Sequence, residues 1–256
     1  MMVFILNNKE IILEKVNKLY KEWKMGHLGG ELMPEDSNPG LEKGSLENYL
    51  YFTLPMALNY QRNSYQLWES VYKTYQDENT MFVFSPNEVL KHSFEDIQFA
   101  LTKYKVALQK NKQTEIWIKL CETISSKFDG DIRKLYSNLN YNVNEIKNYM
   151  QKEYKKEFPY LGGNKICNYW LYVMYQYTDV RYVDVRNITV APDTHVIKAT
   201  HKLGMISDDE LNSSMVQAIV TQRWNELLNN EKLSPIDIHS PLWLWSRSGF
   251  KLNLDV

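Results

Sequence analysis

An all-α fold is predicted by three observations. Apolar residues recur every three to four positions, as in Leu101/Tyr104/Leu108, Trp117/Leu120/Ile124 and Ile132/Leu135/Leu139. Alternating Val/Ile/Thr runs, which would mark strands, are few. Ten glycines stand against 18 tyrosines, a poor supply of the tight turns that hairpin-rich folds need. At 256 residues, with 44% hydrophobic and 13% aromatic side chains, the chain is long enough to bury a core without staples.

The elements follow in order. Lys9 to Lys24 reads as an amphipathic helix with Ile12, Val16, Leu19 and Trp23 on one face. The preceding Met1–Leu6 is apolar but too short for a signal peptide and has no basic leader. Met25 to Gly44 holds five glycines with Pro34 and Pro39, so a long loop is expected. Ser45 caps a helix through Tyr60, which Pro55 should kink or break. Gln61-Arg-Asn-Ser64 turns the chain, and Ser64 is expected to cap a helix from Tyr65 to Gln76. Pro86 after Ser85 starts a series of helices, one of them capped by Asp131 after the break at Asp129-Gly130. The last of the series, Asn144 to Lys155, leads into Phe158-Pro-Tyr-Leu-Gly-Gly-Asn-Lys165. There Gly162 and Gly163 are expected to form a tight hairpin through positive φ, and Asn164 to cap a buried helix ending at Tyr177. After Pro192, Asp193 opens a helix that Gly204 stops. Ser207 and Glu210 form a capping box for a helix through Leu227. Ser234-Pro235 starts a final helix to Trp245, which Pro241 should interrupt.

Composition narrows the chemistry. Cys121 and Cys167 form neither a CxxC pair nor a metal-ligand spacing, and no His-Glu-x-x-His is present. No metal and no cofactor are expected. No run approaches membrane-spanning length, so the expectation is a cytoplasmic protein without a membrane partner. The net charge of −1 counts against a nucleic-acid binder. Yet Leu101 to Lys165 carries 13 basic against 7 acidic residues, and the first 60 residues carry 6 against 8. That basic stretch is either a polyanion-facing stripe or a solvated helical face.

Two positions suggest a reaction. Lys165 falls in a first helical turn, where the macrodipole disfavours an ammonium, and beside an apolar run; both would make it a better amine nucleophile. Asp193 lies 28 residues later at a helix start, where capping fixes its carboxylate. A fixed carboxylate can face a cationic transition state such as that of glycosidic cleavage, although capping alone also accounts for it.

The hairpin with Gly163-x-Lys165, followed by Pro192-Asp-Thr-His-Val196, resembles the helix–hairpin–helix Gly/Pro–Asp superfamily of DNA glycosylases and abasic-site lyases. Two departures stand out. Leu161 occupies the place of the family's first hairpin glycine, and the Lys–Asp spacing is long. Archaeal-type 8-oxoguanine glycosylases and queuosine-salvage nucleosidases look similar in both respects. The resemblance implies two helical lobes with a cleft between them, residues 1–63 with 157–256 forming one and 64–156 the other. It implies Lys165 as the Schiff-base lysine and Asp193 as the essential aspartate. The corner Leu58-Asn-Tyr-Gln61-Arg-Asn-Ser64 is similar to the one whose glutamine fills the space of an extruded nucleotide. That assigns Gln61 to the wedge, Arg62 to a phosphate, and Leu161, Gly162 and Gly163 to the DNA backbone. Asp237, His239 and Trp243, on the last helix, are candidates for the base pocket.

The implied protein is a monomeric, bifunctional DNA glycosylase/abasic-site lyase acting on damaged double-stranded DNA, nucleoid-associated in a prokaryote. Oxidised guanine is the base expected from the subfamily. Two alternatives remain: a nucleosidase on a free modified nucleoside, and a non-catalytic helix–hairpin–helix nucleic-acid-binding module.

Overall fold

The computed structural model describes residues 2–28 and 32–254, with side chains from residue 9 onward. The side chains of the apolar start and loop residues 29–31 lie outside the described residues. Among the described residues every regular element is helical. In chain order the α-helices are α1 (Met2–Lys24), α2 (Leu46–Leu58), α3 (Ser64–Gln76), α4 (Pro86–Val89), α5 (Phe94–Lys103), α6 (Lys110–Phe128) and α7 (Arg133–Asn138). They continue with α8 (Val143–Asn148), α9 (Asn164–Tyr177), α10 (Thr194–Lys202), α11 (Asp208–Leu211), α12 (Val216–Leu228) and α13 (His239–Arg247). Among the described residues no helix is long and apolar enough to cross a membrane.

The chain divides into two compact units, Met1–Met33 with Ile188–Val256, and Pro34–Asn187. In the second unit α2 is central: every residue from Asn48 to Leu58 is buried, against α9 on one side and α6 on another. Asn48 ties the start of α2 to the end of α9 by donating to the Tyr177 carbonyl at 2.9 Å. Trp68, Trp117 and Trp170 are each at most 1% exposed, and burying a large apolar side chain contributes about 1.5–3 kcal/mol. Both cysteines are buried free thiols in this unit. In the first unit α10 packs along α13, and α1 adds Val16 and Leu19 to the core. Trp224 of α12 donates its indole N–H to Thr200 Oγ1 at 2.9 Å.

Several local expectations are corrected. α2 is not broken at Pro55, which lies within the stretch from Asn48 to Leu58 that is buried throughout. The final helix expected from Pro235 is a 3₁₀ turn over Pro235–Ile238 followed by α13, and Pro241 falls at the third residue of α13, where no intrahelical acceptor awaits a proline N–H. The cap of α3 is Asn63, which accepts from the Gln66 N–H at 3.2 Å, and Ser64 is already helical. The Ser207–Glu210 capping box is present, but α11 ends at Leu211 and α12 starts at Val216, so two helices replace one. Beyond α8, the helix expected to reach Lys155 becomes a π-helix over Tyr149–Glu153.

Candidate functional site

The hairpin turns by a different device from the one its glycines suggest. Gly163 has φ −61, and the left-handed residue is Tyr160, at φ 61. Glycine is required at 162 for closeness instead. A Cβ there would lie 2.8 Å from the Met150 carbonyl oxygen and 3.0 Å from that of Phe158, both backbone atoms. The π-helix thus presses its main chain against the hairpin.

The turn also consumes its own donors. Leu161 N–H donates to the Pro159 carbonyl at 2.7 Å, Gly162 N–H to Phe158 at 2.9 Å and Gly163 N–H to Tyr160 at 2.9 Å. Leu161 is fully buried, so neither its side chain nor its N–H is offered outward. Gly163, not Asn164, is the N-cap of α9, and it has no side chain to cap with. The first intrahelical bond of α9 is Cys167 N–H to the Gly163 carbonyl, at 2.8 Å. The N–H groups of Asn164, Lys165 and Ile166 are therefore the ones without an intrahelical acceptor. An anion at this end of the unit would meet those three donors rather than the glycines.

Lys165 is the second residue of α9 and is exposed, so no apolar wall encloses it. Among the described residues of its own unit, no carboxylate forms an ion pair with it. One turn further along the same face, the Tyr169 hydroxyl donates to Glu35 Oε1. Glu35 is 1% exposed, and among the described residues its second oxygen makes no close hydrogen bond. Burial pushes this carboxyl up to about 7, against the opposing hydrogen bond from Tyr169 and, more weakly, the nearby Trp68 side chain. Nothing in the sequence pointed to Glu35, since a carboxylate in a Gly/Pro-rich loop is ordinarily solvated.

The Gln61 corner lies beside the hairpin. The Tyr160 hydroxyl donates to the Asn59 carbonyl, and the Tyr60 and Tyr160 rings meet edge to face with centroids 5.6 Å apart. Gln61 is exposed and left-handed, at φ 44, a conformation that costs energy in a non-glycine residue. Arg62 is committed inward: Nη1 donates to the carbonyls of Lys105 at 2.8 Å and Val106 at 2.7 Å. It braces the corner against the α5–α6 connection, where Lys105 is itself left-handed at φ 64.

The first unit holds Asp193 and the C-terminal candidates. Asp193 is the N-cap of α10, and its Oδ1 accepts from the N–H groups of His195 and Val196, each at 2.9 Å. Its Oδ2 accepts from the Trp243 indole N–H at 2.8 Å. Trp243 meets the His195 ring edge-on at 4.9 Å, and His195 Nδ1 lies 3.3 Å from Ser246 Oγ. Trp243 thus orients the aspartate directly, a role its sequence position alone does not reveal. His239 is 2% exposed, with Nδ1 accepting from the Ala191 N–H at 3.4 Å, and Asp237 closes a capping box with Ser234. Among the described residues no group of His, Cys, Asp and Glu side chains is arranged to hold a metal ion.

No family model matches the chain, and no curated protein matches it significantly.

Proposed function

We propose that this chain is a DNA glycosylase with abasic-site lyase activity, of helix–hairpin–helix Gly/Pro–Asp type. The observation that carries the reading is the junction around Tyr160, where the Gln61 corner meets the hairpin that runs directly into the start of α9, about a hundred residues further along the chain and in the same unit. A free nucleoside gives no use for an exposed, left-handed glutamine beside a row of unpaired helix-start donors. A duplex with an extruded nucleotide has both a gap in its base stack and phosphates to hold. In this reading the Lys165 amine attacks C1′ as the glycosidic C1′–N bond breaks and the damaged base leaves; opening of the C1′–O4′ bond gives an iminium, and loss of a C2′ proton from it expels the 3′ phosphate by β-elimination. Asp193 offsets the positive charge that develops on the sugar, and its three N–H donors fix its orientation beforehand. Oxidised guanine is the proposed base.

The test is borohydride trapping on oligonucleotides bearing different lesions. Wild-type protein should form a covalent adduct with one of them. Lys165→Gln should form none while keeping duplex affinity within about threefold, because the side chain makes one exposed contact at most. An adduct of undiminished yield in the mutant removes Lys165 from the mechanism.

Two observations favour a second reading, a nucleosidase on a free modified nucleoside. Arg62, the corner's expected phosphate ligand, is spent on backbone carbonyls, and the net charge is −1. Hydrolysis of the free nucleoside with no activity on any lesion-bearing duplex would select it.

A further inference from the structure

One residue joins the two halves of the proposed DNA face. The Tyr160 hydroxyl holds the Asn59 carbonyl, its ring packs on Tyr60, and its own carbonyl accepts from Gly163, the N-cap of the helix that carries Lys165. We propose that Tyr160 is a positioning residue that couples the Gln61 corner to the start of α9, so that a duplex displacing the corner adjusts the placement of Lys165. The inference rests on the DNA reading above for its consequence in catalysis, though the linkage itself is a property of the free protein.

The geometry suits transmission rather than simple packing. Gln61, Lys105 and Tyr160 are all left-handed non-glycine residues, and hydrogen bonds tie them to one another's segments through Arg62 and the Tyr160 hydroxyl. Conformations that cost energy persist only where neighbours hold them, so a shift at one member is felt by the others. Burial keeps the Tyr160 phenol protonated up to about pH 12, so the hydroxyl is a donor under all working conditions. The Asn59 carbonyl ends α2, and Gly163 begins α9. Movement of a few tenths of an ångström at the corner has a direct hydrogen-bonded route to the lysine's helix.

Two measurements test this, one with chemistry and one without. Tyr160→Phe keeps the ring and the backbone turn and deletes the hydroxyl. Losing one neutral hydrogen bond should lower single-turnover cleavage of a lesion in duplex by about fivefold. Cleavage of the same lesion in single-stranded DNA should fall less than twofold. Gln61→Ala and Tyr160→Phe should combine non-additively on the duplex, as expected for residues acting through one link. The second measurement is amide hydrogen exchange of the free protein. Gln61→Val forces the corner out of its left-handed conformation and should speed exchange at Gly162 and Gly163 severalfold, with no further increase in the Tyr160→Phe background. Additive rate effects, or hairpin exchange in Gln61→Val equal to wild type, overturn the coupling. A wild-type protein inactive on every DNA but showing the exchange pattern overturns the DNA reading and leaves the linkage standing.

Discussion

Asp193 accepts three N–H groups, and those partners change what a conservative substitution would do. Asparagine is as good an N-cap as aspartate, so the sequence suggests a variant of unaltered stability. The structure adds the Trp243 indole, whose N–H points at Oδ2. In Asp193→Asn the amide oxygen is drawn to the helix start, which leaves the amide NH2 facing the indole N–H, donor against donor. The variant should lose about 1–3 kcal/mol of stability in urea unfolding. Base release should fall by at least about a hundredfold in single turnover. Adding Trp243→Phe removes the opposing donor, so much of the stability should return while the rate does not. Recovery of the rate together with stability would mean that Asp193 serves only as a cap. The pairing with Trp243 was not legible in sequence, because 50 residues and a helix packing separate the partners. The cap itself was legible, since it depends on residues two and three positions away.

At the scale of elements, helices were readable wherever burial and local capping agree, as in the Ser45 start of α2 and the Gly204 stop of α10. They were misread where packing decides, as in the passage from α8 into the π-helix. The hairpin combines both cases. Its place in the chain was evident from Gly162-Gly163, but the reason for glycine was not, because a carbonyl of the preceding π-helix, twelve residues earlier, sets the limit. Gly162→Ala should therefore destabilise through collision rather than through φ. With backbone atoms at 2.8 and 3.0 Å from the new Cβ, the loss should be about 1–3 kcal/mol. The denaturation midpoint in urea measures it, and amide exchange should be fastest at Met150 to Glu153 and at Gly162. A variant as stable as wild type would show that the π-helix yields readily. Arg62 teaches the same lesson from the other side: an arginine beside a candidate wedge looks like a phosphate ligand until its two carbonyl acceptors are seen.

The molecule as a whole is a helical chain in two units with almost balanced charge, and one buried carboxyl links the larger unit to the protons around it. Glu35 ionises near 4.5 when exposed and near 7 in the fold. Between those values the unfolded chain has given up a proton that the native unit Pro34–Asn187 still holds. Folding therefore takes up a proton in this window, and Glu35 makes the native state progressively less stable as pH rises from about 4.5 to about 7. Above about 7 both states are ionised, and the penalty levels off on the order of 3 kcal/mol. Glu35→Gln keeps the acceptor for the Tyr169 hydroxyl and has no proton to exchange. Its unfolding free energy should exceed that of wild type at pH 8, match it near pH 4.5, and lack the slope between. Calorimetric unfolding in buffers of different ionisation enthalpy would count the same proton directly: wild type should release close to one on unfolding at pH 6, and the variant fewer by that amount. Mild acid thus acts as a ligand of this fold, bound at a carboxyl that burial holds back from ionising.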